Sequence, residues 1–275
     1  MSARAQSRVY RLAVYAGATF SMAVLLLIVG YILIKGIPHL SPELFAWEYN
    51  SSNVSMMPSI INTLLMTLIS LLVCVPLGIG AAIYLTEYAK RGSRLVKLVR
   101  MTAETLSGIP SIIYGLFGSL FFVVALRMGL SLASGALTLS IMVLPTIMRT
   151  TEEALLAVPD SFREGSFGLG AGRLRTTFKV VLPSAVPGIL SGVILAIGRI
   201  VGETAALIYT AGTVAKIPDS MLDSTRTLAV HMYTISSEGL YINQSYATAV
   251  VLVVVVLGIN ALSSLIAKKI GRRTQ

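Results

Sequence analysis

The sequence predicts an all-α membrane protein: six transmembrane helices, with both termini in the cytoplasm. Three observations carry that expectation. Of 275 residues, 55% are hydrophobic and only 12% are charged, about half the charge of an ordinary soluble domain. Six apolar runs approach or exceed the roughly 20 residues that a helix needs to cross a bilayer. The basic residues alternate between rich and poor segments along the chain.

The runs cover roughly residues 12–34, 59–86, 105–126, 132–148, 183–211 and 245–267. A bilayer offers no water to a bare backbone, so runs of this length are read as helices. The first follows Arg4, Arg8 and Arg11, as a signal peptide would. It is too long for a signal's apolar core, and no small-residue cleavage site follows, so it is read as a retained helix. The segment after it carries Phe45, Trp47 and Tyr49, suited to an interfacial aromatic belt.

Charge then orients the runs. The N-terminal tail (1–11), the segment holding Lys90, Arg91, Arg94, Lys97 and Arg100, the segment 149–179 and the C-terminal tail (268–275) hold 17 of the 22 Lys and Arg residues. The alternate segments hold four, Lys35, Arg127, Lys216 and Arg226, and Arg199 lies inside the fifth run. The positive-inside rule places the basic segments in the cytoplasm. Topology thus accounts for the net charge of +10, and nucleic acid is not expected as a partner. One membrane domain occupies residues 12–267, with a cytoplasmic segment 149–179 and an outer loop 212–244. That polar loop is either a docking surface for an external partner or a short amphipathic helix lying on the membrane.

The chain has no G-x-x-x-x-G-K-[ST] run to cradle nucleotide phosphates and no G-x-S-x-G. Gly168, Gly170 and Gly172 read as turn glycines. Cys74 is the single cysteine, and His39 and His231 are far apart, so neither a disulfide nor a zinc cluster is expected. No catalytic group, metal site or cofactor site of its own is predicted.

Two segments carry more. In 149–179, Pro159 ends one helical piece and Asp160 or Ser161 can cap the next. Gly170 suits a left-handed helix end. A helix of about residues 161–169 follows, too short to stand alone in water, with Phe162, Phe167 and Leu169 to pack it. In the fifth run, Arg199 and Glu203 are the only charged residues, four positions apart and so on one helical face. Gly188, Gly192 and Ala196 continue that face and permit close packing. A charge at this depth costs about 2.5–3.5 kcal/mol, so the face points into protein or water. The pair is either a neutral clamp between helices or part of an anion path. Arg suits phosphate oxygens; Glu beside an anion makes sense where the anion carries a proton, as phosphate does and sulfate does not.

Glu164-Gly165-Ser166, Gly170 and Val180-Val181-Leu182-Pro183 resemble the cytoplasmic signature of ABC importer permeases: Glu-Ala-Ala, three residues, Gly, nine residues, an aliphatic residue, one residue, Leu-Pro. Gly165 and Ser166 replace the two alanines. The resemblance implies a MetI-like permease fold. It also implies that the short helix enters a groove on an ATP-binding subunit, which itself holds ATP and magnesium. Gly198-Arg199-Ile200-Val201-Gly202-Glu203-Thr204, Gly108 to Gly118 and Leu144 to Glu152 resemble the PstA-type permease subunits of phosphate ABC transporters, over roughly residues 50–270. The first stretch also occurs in PstC-type subunits. This resemblance implies inorganic phosphate import across the inner membrane, with Arg199 and Glu203 serving phosphate passage. It further implies a PstC-type sister permease, a dimer of PstB-type ATP-binding subunits and an external PstS-type phosphate-binding protein, all in a lipid bilayer. Rival readings are a permease for sulfate or molybdate, a secondary carrier, for which no paired half-helix breaks are evident, and a membrane enzyme, for which no catalytic cluster exists.

Overall fold

The computed structural model describes residues 3–90 and 92–271. Arg91 and the end of the predicted C-terminal tail, with Arg272 and Arg273, lie outside the described residues. Helix α1 spans Ala3–Gly36. Helix α2 spans Met57–Ile83 and continues as a π-helical turn, Tyr84–Tyr88. Helix α3 (Arg94–Ser107) precedes α4 (Ser111–Gly118), which widens into a second π segment, Ser119–Ala125. Then come α5 (Leu132–Leu156), α6 (Asp160–Gly168), α7 (Arg173–Thr176) and a third π segment, Thr177–Val181. Helices α8 (Leu182–Val201), α9 (Ala205–Thr210), α10 (Leu228–Ser237) and α11 (Ile242–Gly271) complete the chain. Five of the described helical stretches are long and apolar enough to cross a membrane, and the bent pair α3–α4 brings the number to six.

Three expectations need correction. The third run is not one helix, because α3 and α4 meet at 103°. Pro110 disfavours helical backbone at Ile109, so α3 stops at Ser107 and becomes part of the basic segment. The fifth run is also broken: α8 ends at Val201, and Gly202, Glu203 and Thr204 separate it from α9. The outer loop holds no helix lying on the membrane. Leu228, Ala229, Val230, His231 and Ile235 of α10 are all buried.

Helix α5 is the hub. It is flanked by α2 and α8 along its length and touched by α3, α4 and α9. Polar and small residues let these helices approach. Ser70 Oγ on α2 donates to Ala136 O on α5 at 3.2 Å, and Ser140 Oγ on α5 returns the bond to Ser70 O at 3.1 Å. Leu139, Met142, Val143 and Ile147 of α5 are at most 1% exposed and fill the core. Helix α1 stands apart, packed on α11, and presents its apolar length to the surroundings.

Gly192 marks the tightest approach of α8 to α5. A Cβ there would collide with Thr150 Oγ1 and lie 2.7 Å from Thr150 Cβ. Overpacking of this kind costs about 1–3 kcal/mol. Gly192→Ala is therefore expected to lower the detergent-solubilised melting temperature, and the double variant Gly192→Ala with Thr150→Ala to recover most of it. A double variant no more stable than the single one would show that the two helices do not meet at this point.

Candidate functional site

The basic end of the bundle carries the predicted coupling segment. Helix α6 spans Asp160–Gly168, one residue earlier than expected, and none of its residues is buried. Pro159 occupies the cap position without a side-chain bond; Asp160 turns to Arg163 Nη1 instead, at 3.3 Å. Phe162 and Phe167 are half exposed and Leu169 is 91% exposed, so they do not pack the helix as the sequence suggested. Glu164 and Gly165 are exposed as well. Gly170 has φ +82°, the left-handed conformation that a helix end requires and a side chain resists. Ser166 Oγ lies 2.8 Å from Thr176 Oγ1. Leu182 and Pro183 are half buried at the first turn of α8, where a proline lacking its N–H costs nothing.

What holds α6 is Arg163, which sequence reasoning passed over. Its Nη2 donates to Glu87 Oε1 at 2.7 Å and to Leu155 O at 2.9 Å, and its Nη1 donates to Val158 O at 2.8 Å. One guanidinium thus ties α6 to the π turn ending α2, to the last turn of α5 and to the connector that follows it. The Arg163 and Glu87 side chains are only 15% and 9% exposed. A second pair, Arg100 and Glu152 at 2.5 Å, fastens α3 to α5. Arg149, exposed, sits between Glu153 at 3.2 Å and Glu104 at 3.8 Å.

The break between α8 and α9 changes the geometry of the embedded pair. The i, i+4 alignment needs an unbroken helix, and Gly202 ends it. Arg199 stays in the last turn of α8, where the partial negative charge of a helix C-terminus suits a cation. It is partly exposed and lies near Tyr114 of α4. Glu203 lies beyond the break, 8% exposed, and its Oε1 accepts from Ala206 N at 3.1 Å. Among the described residues no ion pair joins Arg199 to Glu203. A half-helix break, not evident in the sequence, is thus present in this chain.

The opposite end holds a polar cluster that the sequence did not reveal. Asn62 Nδ2 donates to Lys216 O at 2.9 Å and Arg226 O at 3.2 Å, binding the loop to α2. Arg226 is 4% exposed, and its guanidinium carbon lies 4.6 Å from the Tyr49 ring centre. His231 is fully buried, edge-on to the same ring. Burial, and then the neighbouring Arg226 charge, push His231 down to about 3. Its pKa is depressed in the fold, so unfolded chains bind more protons between pH 3 and 6.5, and its contribution to stability is lost as pH falls through that window. Tyr49 thus caps a buried cluster, and only Phe45 and Trp47 remain exposed as belt residues.

A neutral residue at position 163 would leave Glu87 charged and unpaired, which costs about 3–5 kcal/mol. Arg163→Met is expected to lower thermal stability by that order and to speed proteolysis near Leu169. Removing both charges, in Arg163→Met with Glu87→Gln, should restore much of the stability. Equal proteolysis of wild type and Arg163→Met would show that other contacts hold α6.

Residues 74–275 match the family described as the binding-protein-dependent transport system inner membrane component. The chain is 33% identical over 238 residues to the probable ABC transporter permease protein YqgI of Bacillus subtilis (strain 168), covering 81% of each. It is 34% identical over 207 residues to the phosphate transport system permease protein PstA 1 of Mycobacterium tuberculosis (strain ATCC 25618 / H37Rv), covering 74% of this chain and 67% of that one. In fold it is similar to a chain of the inward-facing MetNI methionine ABC transporter, with a TM-score of 0.60 at 21% identity, over 78% of this chain and 94% of that chain.

Proposed function

The chain belongs to the inner membrane components of binding-protein-dependent transport systems, and on that premise we propose that it is the PstA-type permease of an ATP-driven inorganic phosphate importer. The observation that carries the reading is Arg199: an embedded, partly exposed guanidinium at a helix break, with no carboxylate within 4.0 Å among the described residues. A permanently charged planar fork of N–H donors fits two oxygens of a phosphate. Phosphate at neutral pH also bears a P–OH, which can donate to Glu203; sulfate has no such proton. Pst-named relatives support the choice of anion.

The permease is a transport subunit, and its ABC family supplies the remaining parts. In our reading these are a PstC-type sister permease, two PstB-type subunits holding ATP and magnesium, and a PstS-type external binding protein. Both termini, α3 and α6 face the cytoplasm. Helix α6 enters the ATP-binding subunit with Glu164, Gly165 and Ser166, Gly170 lets the chain turn back, and Leu182 and Pro183 begin the span that receives the motion. The exposure of Phe162, Phe167 and Leu169 supports docking.

Two experiments test this reading. In vesicles holding the assembled transporter, ATP-dependent uptake of labelled phosphate should fall about ten- to a hundredfold in Arg199→Gln, as loss of hydrogen bonds from a charged group worth about 1.5–3 kcal/mol requires. Arg199→Lys should recover little, and Glu203→Gln should let sulfate compete. Robust uptake by the double variant Arg199→Leu with Glu203→Leu would end the anion-path reading.

For the coupling segment, Gly170→Val and Glu164→Lys should insert normally yet transport little and retain less ATP-binding subunit on purification. Val at a left-handed position costs about 1–2 kcal/mol. Wild-type transport in both variants would reduce α6 to a connector.

A further inference from the structure

We propose that α3 is a docking surface for anionic phospholipid in the membrane leaflet at the basic end of the bundle. Helix α3 lies at 103° to α4, so it runs close to the membrane plane if α4 crosses it. Its 14 residues divide into three faces. Val96 and Ala103 are buried against the bundle, and Arg100 is tied down by Glu152 at 2.5 Å. Glu104, on the next stripe, is exposed and reaches Arg149. The remaining face shows Leu95, Leu98 and Met101, between 54% and 61% exposed. Residues at this spacing drift by only about 60° per step around a helix, so the three form one apolar stripe.

Arg94 lies within that stripe and Lys97 on its border. Both are exposed, and neither has a carboxylate within 4.0 Å among the described residues. Lys90, exposed, stands just before the helix. An apolar stripe edged by free cations, whose one bordering acid, Glu104, turns to Arg149, complements acyl chains beneath negatively charged headgroups. A protein partner would be expected to present acids to Arg94 and Lys97, or the stripe to be bare of charge. The inference rests on the membrane placement of the chain and is independent of which solute is imported.

The test uses the full chain in vesicles, with Trp47→Phe leaving Leu98→Trp as its single tryptophan. Brominated phosphatidylglycerol and brominated phosphatidylcholine, each at the same mole fraction, are compared as quenchers. Each basic residue near an anionic surface contributes about 1 kcal/mol, or about fivefold. Quenching at position 98 should favour phosphatidylglycerol, and the preference should fall about fivefold for each of Arg94→Gln and Lys97→Gln. A Leu257→Trp chain, with its tryptophan on exposed α11, reports insertion and should be quenched by both lipids alike. Equal quenching at position 98 by the two lipids would overturn the proposal, as would a preference that survives both substitutions. Quenching by neither lipid, with position 257 quenched normally, would place α3 against protein or water and overturn it too.

Discussion

Backbone hydrogen bonding in a medium without water decides where this chain can bend. Each broken turn inside a membrane exposes N–H and C=O groups whose neglect costs several kcal/mol apiece. The two breaks meet this constraint with local partners. At the first, Gly108 N and Ile109 N bond back to Thr105 O and Leu106 O, and Tyr114 donates its hydroxyl to Leu106 O at 2.7 Å. At the second, Gly202 N and Glu203 N close on Gly198 O and Ile200 O, while Glu203 Oε1 takes the Ala206 N–H. The second solution places a carboxylate where none would be needed for packing alone. The break and the embedded charge are therefore one feature: Glu203 makes the bend possible, and the bend separates Glu203 from Arg199.

The same accounting explains how the basic end is built. Arg163 donates to Leu155 O in the last turn of α5 and to Val158 O just beyond it, while holding Glu87. A helix with no buried residue thereby gains a fixed position at the junction of α2 and α5. Because α5 also packs on α8, α6 is connected through α5 to the element that ends in Arg199. The π turns at Tyr84–Tyr88 and Thr177–Val181 flank this junction. π turns are rare and cluster at functional sites, and here they lie on the chains that α6 would move.

Much of this was legible in the sequence, and the failures share a cause. Run length and charge alternation exposed the number of spans, since both depend on composition alone. Pro159 and Gly170 bounded α6 to within a residue, because their effects are local to the backbone. Hydropathy does not see a bend, however, and the apolar runs at 105–126 and 183–211 continue through Gly108–Pro110 and Gly202–Thr204. Pro110 was in view as part of a motif, not as a breaker. The partner of Arg163, Glu87, is 76 positions away, and no periodicity reports such a distance. The burial of α10 was hidden for the converse reason, since its polar neighbours made a buried segment read as surface.

Away from the basic loops, Arg127 is exposed on a turn, while Arg199 and Arg226 lie within the bundle, and their surroundings separate the roles of these two. Arg226 is 4% exposed, stacked on Tyr49 and adjacent to a neutral His231. Asn62 fastens the backbone beside it. A solute reaching that guanidinium would have to displace an aromatic ring and a pinned loop. Arg199 has neither obstacle: it is partly exposed and stands beside a break that its own helix does not span. Both are permanent charges, so protonation cannot distinguish them; access can. The buried arginine is held against the outer loop, and the accessible one is, in the function proposed above, where an oxyanion would exchange its water for fixed donors.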